Sequence, residues 1–204
     1  YTLIVTDVHG CTDSDTTNVI VYEKPKAQAG PDQIKCKADG VTTFTLSGSA
    51  SGGAEPYTYE WSSDDPCVDI KNPNSEDTNV DISCIGSYPI TLTITDDKEC
   101  QDTDQVVLTV VAITATAASN SPVCLGETIE LSATVSGGIS PYTYTWRSPD
   151  GWTITDTQNP TRLNATLAMS GTYTLIVTDF LGCSDFDTTD VVVGPEAEAG
   201  YPQI

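Results

Sequence analysis

One stretch of this chain is written three times, and a repeat constrains the architecture before any single residue does. Residues 1–22 read YTLIVTDVHGCTDSDTTNVIVY, residues 173–193 read YTLIVTDFLGCSDFDTTDVVV, and residues 88–111 read YPITLTITDDKECQDTDQVVLTVV. Each copy runs in the same order: an alternating apolar strand, a Thr-Asp step, a short turn ending in Cys, an acidic step and a Val-rich strand. In the copy at 88, Tyr88, Ile90, Leu92 and Ile94 alternate with Thr91, Thr93 and Thr95. That period of two buries one face of a strand and wets the other. The turn sends the chain straight back, so each copy predicts a β-hairpin.

The segments between the hairpins repeat as well. VTTFTLSGSA at 41–50, YTYEW at 57–61 and TNVDIS at 78–83 predict strands, with SGGAEP as a turn. TIELSATV at 128–135, YTYTW at 142–146 and RLNATL at 162–167 follow the same plan around SGGISP. The Pro- and Gly-punctuated PKAQAGPD at 25–32 predicts a joint, and PEAEAGYPQI at 195–204 copies it. No stretch carries an amphipathic helical period. Short strands separated by frequent turns predict an all-β sandwich. The organisation that follows is residues 1–23 as the closing hairpin of a truncated domain, 24–112 as a domain with four cysteines, 113–194 as a domain with two, and 195–204 as the start of the next. The chain opens inside a strand, with neither an initiator Met nor a signal peptide, and so reads as a window cut from a longer polypeptide.

Charge narrows the function. Eight Lys+Arg against 29 Asp+Glu give a formal charge of −21. Nucleic acid is excluded as a partner, because its binding needs cationic contacts to phosphate. No apolar run is long enough to cross a membrane, so no membrane insertion is expected of this segment. Seven cysteines at matching places point to an oxidising, extracellular setting.

The aromatic strands place Tyr57, Tyr59 and Trp61 on one face, and Tyr142, Tyr144 and Trp146 likewise. Such a row serves either a sugar-binding platform or the core tryptophan of an immunoglobulin-like sandwich, and the second reading is preferred. Gly86-Ser87-Tyr88 and Gly171-Thr172-Tyr173 stand where a tyrosine corner would lie. PYTYxW followed by GTYTLIVTDxxGC resembles the PKD-like and immunoglobulin-like repeats of very large bacterial surface adhesins. The likeness is greatest to the gliding-motility adhesins exported through a type IX secretion system. The joint AGPDQI fits the same group, while WSSDDP and WRSPDG depart from the WDFGDG that PKD repeats often carry.

The resemblance implies tandem immunoglobulin-like (PKD-like) β-sandwich domains in an extended array on a bacterial cell surface. The function it implies is mechanical, a stalk or filament for surface attachment or gliding. Its partners are the neighbouring repeats, with a surface polysaccharide or host ligand reached through a distant tip. The rival readings are a carbohydrate-binding module and a spacer domain of a secreted hydrolase.

No catalytic constellation stands out. His9 is the single histidine, so no serine has the partner a nucleophile needs, and the carboxylates sit in turns rather than around a pocket. The acidic turns are the arguable ligand site, and calcium is the cofactor they would take. Asp7, Asp13 and Asp15 match Asp96, Asp102 and Asp104, and match Asp179, Asp185 and Asp187. Aspartates two apart on a strand point the same way and suit a hard cation shared with a turn carbonyl. Aspartate also favours turns and keeps exposed strand edges soluble without any ion. Asp-Thr-Thr at 15–17 and 187–189 is similar to the O-glycosylation signal of the bacteria named above, which makes Thr16 and Thr188 candidate glycan sites. Asn164-Ala165-Thr166 fits the N-glycan signal, which bacteria rarely use.

Cys67 lies six residues past Trp61 and Cys84 four before Tyr88, which places both at one end of a sandwich and predicts a disulfide. The same offsets in the next domain give Trp152 and Met169, where a sulfur–aromatic contact is expected instead. The obvious pairing of the other cysteines is within domains, Cys36–Cys100 and Cys124–Cys183. Immunoglobulin topology puts those partners at opposite ends of the sandwich, roughly 30–40 Å apart at ~3.3 Å per residue. A disulfide needs Cα atoms within about 7 Å. Head-to-tail packing favours Cys36–Cys183 across the junction instead, with Cys11, Cys100 and Cys124 finding partners outside the sequence.

Overall fold

The computed structural model describes residues 1–194; the expected start of a further domain at 195–204 lies outside the described residues. The described residues are all-β apart from one short 3-10 turn at Leu167–Met169. They cluster into two compact units. The first comprises Tyr1–Asp32, Thr43–Asp81 and Tyr88–Leu108, and the second comprises Gln33–Thr42, Ile82–Ser87 and the chain from Thr109 onward.

In the first unit the period of two becomes burial. Strand Thr42–Ser47 alternates buried and exposed residues along its whole length. Phe44, Leu46, Val80, Ile90, Leu92, Ile94, Val106 and Leu108 are at most 1% exposed and make the core with Trp61. Each such side chain contributes roughly 1.5–3 kcal/mol by leaving water. Strand Gly86–Thr95 pairs antiparallel with Thr58–Ser62, setting Leu92 opposite Trp61 and Ile94 opposite Tyr59. Hairpin Thr2–Thr6/Thr12–Thr16 belongs to this unit, but its Leu3 and Val5 are exposed. The matching Leu175 and Val177 of the last copy are fully buried.

The second unit is a two-sheet sandwich. One sheet has the order Thr153–Thr155, Thr143–Arg147, Gly171–Thr178, Ser184–Val191, with antiparallel neighbours. The facing sheet is Ile113–Ser119, Ile129–Gly137 and Thr161–Arg162, also antiparallel. A short parallel pair, Val123–Cys124 with Val193–Gly194, closes the end. Trp146, Ile129, Tyr173, Leu175 and Val177 are fully buried between the sheets. Strand Gln33–Cys36 joins this unit beside the end of strand Gln101–Val111, where the Lys37 amide donates to the Val111 carbonyl at 2.7 Å.

Two sequence expectations are corrected. PKAQAGPD is not only a joint, because Lys26–Gln28 is a strand paired antiparallel with Ser49–Ser51. RLNATL is not a strand beyond Arg162. Asn164 turns left-handed at φ 55°, which asparagine tolerates. Ala165 then exchanges backbone bonds with Gly126 and Glu127 at 2.9 and 2.8 Å, which fixes the segment to a loop instead of a sheet.

Candidate functional site

The three hairpin turns share one bonding pattern, and it explains the Thr-Asp step. Asp179 Oδ1 accepts the amides of Leu181 and Cys183, both at 2.9 Å. Asp96 does the same for Lys98 and Cys100, and Asp7 for His9 and Cys11. The second oxygen reaches the Gly-Gly corner, where Asp179 Oδ2 accepts Ile139 N–H at 2.9 Å and Asp96 Oδ2 accepts Ala54 N–H at 3.0 Å. Both corners need glycine. Gly53 and Gly138 have φ of +67° and +66°, and a Cβ on either would meet that carboxylate at 2.6 or 2.9 Å. Burial pushes the Asp96 carboxyl up, but the amides of Ala54, Cys100 and Lys98 outweigh it and hold it below the usual range.

The acidic step after each turn does a different job. Asp185 and Asp187 accept the amides of Ala115 and Ala117 at 2.8 Å each, 70 residues back in the chain. Asp102 and Asp104 accept the amides of Ala27 and Ala29 at 3.0 and 2.8 Å, 75 residues back. Carboxylates at i and i+2 thus take the amides of residues at j and j+2, replacing a backbone ladder along one edge. The partner side chains are alanines, whose small size lets the backbone come within reach. Lys24 closes the other oxygen of Asp102 at 2.7 Å. Asp102 is held below the usual range first by that ammonium and then by the Ala27 amide; Asp187 is held there first by the Ala117 amide.

A carboxylate whose folded pKa is depressed stabilises fully above its unfolded value, about 4, and loses that contribution as pH falls through the folded value. Acidification is therefore expected to release the Ala27 and Ala117 amides before the core opens. Hydrogen exchange, corrected for its intrinsic pH dependence, measures this. Equal protection of Ala117 and core Leu175 from about pH 6 down to the global transition would contradict it.

Cys36 and Cys183 form a disulfide with Cα atoms 5.4 Å apart, joining positions 147 residues apart in sequence. Cys67 and Cys84 are also oxidised, while Cys11, Cys100 and Cys124 are free. Cys183 is only 5% exposed and Cys36 is half-buried. A groove of about 390 Å³ runs along the bond, lined by Cys36, Lys37, Val111, Ile113, Cys183 and Ser184 among others.

At the position where Trp152 and Met169 were expected to meet, the organising group is Arg162, which sequence reading passed over. Its guanidinium lies 4.9 Å over the Trp152 ring. It forks onto Asp150 at 2.7 and 3.1 Å and donates to Tyr173 Oη at 2.7 Å. Asp150 is held well below the carboxylate range, chiefly by Arg162. Tyr173 Oη donates to Met169 O at 3.0 Å, the bond of a tyrosine corner. Trp61 and Trp146 are buried at 2% and 0%, and each indole N–H donates to a carbonyl, Ser75 O at 3.0 Å and Gln158 O at 3.1 Å. Neither tryptophan is available to stack on a sugar.

Of the nine aspartates considered for calcium, Asp96, Asp102, Asp104, Asp179, Asp185 and Asp187 are turned toward backbone amides, with Lys24 also on Asp102. Among the described residues no three His, Cys, Asp or Glu side chains come together as a metal-holding group. Thr16 and Thr188 are exposed strand residues, and His9 is an exposed turn residue whose amide donates to Asp7.

Comparison with known proteins agrees with this geometry. Residues 22–110 match the PKD domain family and residues 108–193 a PKD-like domain family. The dyslexia-associated protein KIAA0319-like protein of Mus musculus is 33% identical over 217 residues, covering 96% of this chain. The chain spans only 20% of that relative's length. The N-terminal eight Ig domains of Down Syndrome Cell Adhesion Molecule superpose with a TM-score of 0.55 at 17% identity, over 95% of this chain and 27% of that one. DIP-gamma IG1+IG2 gives 0.52 at 11% identity, over 84% of this chain and 98% of that one. At those identities the likeness is one of fold. The chain carries a PKD domain and a PKD-like domain in tandem, both immunoglobulin-like β-sandwiches.

Proposed function

We propose that this chain is a repeat segment of a long bacterial cell-surface adhesin, in which residues 24–112 and 113–194 are successive links of a stalk for surface attachment or gliding. The observation that carries the reading is the Cys36–Cys183 bond, which joins a residue of the 22–110 match to one of the 108–193 match. The bond locks residue 36 of the first match into the compact unit that carries most of the second, and such a covalent lock suits a part that bears load. In this reading Cys11, Cys100 and Cys124 are half-cystines for other repeats, and the partners of the segment are those repeats. The distant tip, not this segment, meets a polysaccharide or host ligand.

The segment works without a cofactor and without catalysis. Calcium is expected to leave the melting temperature unchanged, because Asp104, Asp185 and Asp187 already accept main-chain amides; a rise with calcium would establish an ion site. Thr16 and Thr188 are proposed as glycan acceptors, and native material with the mass of the bare polypeptide would remove them. The central test uses intact cells of the organism that encodes this chain. Antibody against residues 24–194 is expected to label the cell exterior, and in-frame deletion of the segment to reduce attachment to glass or gliding at least several-fold. Unlabelled cells, or full attachment after deletion, would end the adhesin reading.

A further inference from the structure

Tension applied to the two ends of a chain follows the shortest covalent path, and here that path leaves the backbone. It enters the bond at Cys36 and leaves at Cys183, so the intervening residues form a closed loop outside the load. With 147 residue steps in that loop, the length withheld is up to about 480–530 Å at 3.3–3.6 Å per step. Cys67 and Cys84, both oxidised, lie inside the loop and trim it by about 60 Å while they remain so.

The two half-cystines differ in exposure. The groove of about 390 Å³ opens on both half-cystines, but Cys183 is 5% exposed whereas Cys36 is half-buried. An incoming thiolate therefore meets the sulfur of Cys36. Cys183 sits behind its turn, its amide on Asp179 at 2.9 Å, and the one cation lining the groove, Lys37, gives its ammonium to the carbonyls of Ala38 and Gly40. A departing sulfur in that setting is a poor leaving group, so attack is slow although it is sterically open.

We propose that Cys36–Cys183 is a thiol-releasable extension stop: closed, it carries tension past residues 37–182, and attack by a small thiol on Cys36 through the groove releases that length. The chemistry is ordinary exchange with a low-molecular-weight thiol of glutathione size as reductant. Its thiolate attacks Cys36 Sγ, the S–S bond breaks, and the electron pair leaves on Cys183 Sγ, which takes a proton from water. A second thiolate then attacks the mixed disulfide and frees Cys36. Two small thiols become one small disulfide, and the protein gains two electrons and two protons. The inference rests on the mechanical reading only for the source of tension; the bypass itself is a property of the connectivity.

The test is single-molecule extension of the full chain held at its two ends. In buffer without thiol, complete unfolding is expected to stop about 400–500 Å short of the length reached by C36S/C183S. Adding reduced glutathione at constant force is expected to release the missing length on the same wild-type molecule after a single bond-opening event. Its rate should rise in proportion to glutathione, and a bulky thiol protein of thioredoxin size should act at least tenfold more slowly at equal thiolate. Equal lengths for wild type and variant would overturn the bypass. A step whose rate ignores glutathione, or is faster with the bulky thiol, would overturn access through the groove. Neither result bears on whether the protein is an adhesin, which the cell-surface test decides separately.

Discussion

Asp179→Ala is expected to lower the stability of the second unit by about 3–9 kcal/mol, from the 1–3 kcal/mol that each of three stranded amides costs. The carboxylate holds three amides, those of Leu181, Cys183 and Ile139. It therefore ties the hairpin turn to the Gly-Gly corner across the end of the sandwich. Alanine leaves all three donors beneath a residue that is 6% exposed in the native protein, where water replaces them poorly. Asp179→Asn keeps one acceptor oxygen and turns the other into a donor, so it can hold the two turn amides or the Ile139 amide but not both, and should recover less than half of the loss. The same turn presents Cys183, so the alanine variant should also form the Cys36–Cys183 bond less completely. Thermal melting and non-reducing peptide mapping read the two effects. A variant that melts like the parent and is fully bonded would show the turn to be set by its backbone alone.

Trp146→Ala should remove a large share of the second unit's stability. The side chain is fully buried, and large-to-small changes of this kind cost about 3–5 kcal/mol. A domain of this size holds only about 5–15 kcal/mol in all. With a urea slope of about 1–3 kcal/mol per molar, the corresponding transition should move down by at least about 1 M, or disappear. Trp146→Phe separates packing from hydrogen bonding. It retains a ring but strands Gln158 O, which accepts the indole N–H at 3.1 Å, and should cost about 1–3 kcal/mol beyond the lost volume. Far-UV circular dichroism follows both. An alanine variant with the parent's transition would mean that Trp146 does not anchor the core.

The hairpins and the tryptophan strands were legible because alternation and turn chemistry are local: Tyr173, Leu175 and Val177 advertise their face, and Asp179 its turn. The strand Ile113–Ser119 was not legible as a partner of Ser184–Val191. Its link runs through Asp185 and Asp187 rather than a backbone ladder, and the residues whose amides make that link, Ala115 and Ala117, carry little hydrophobic signal. An Ala-x-Ala step matched to a distant Asp-x-Asp step, seen in both domains, was the available clue. The charge of these aspartates is visible in the sequence, whereas the main-chain donors they accept lie 70 or more residues away. Arg162 was missed for a related reason: one arginine in a loop has no period, and its value comes from Asp150, Trp152 and Tyr173 converging on it.

The carboxylate seams also bear on how a chain of near-copies folds without exchanging parts. Residues 1–7 and 173–179 are identical letter for letter, and both seams use the same Ala-x-Ala and Asp-x-Asp pattern. Ala27 is 75 residues from its own Asp102 and about twice as far from Asp185, yet doubling a loop costs only about 0.6 kcal/mol. Proximity alone therefore discriminates weakly between self and neighbour. The seams differ in what surrounds the shared pattern. The first adds the Lys24–Asp102 ion pair. The second adds Ser119 Oγ donating to Asp190 O at 3.2 Å and Ser121 Oγ accepting from Val192 N at 2.9 Å. A mismatched strand would keep the two carboxylate bonds and lose these. Unlike neighbours thus act as a safeguard against domain swapping, and homogenising the two repeats would be expected to raise the yield of swapped oligomers on refolding.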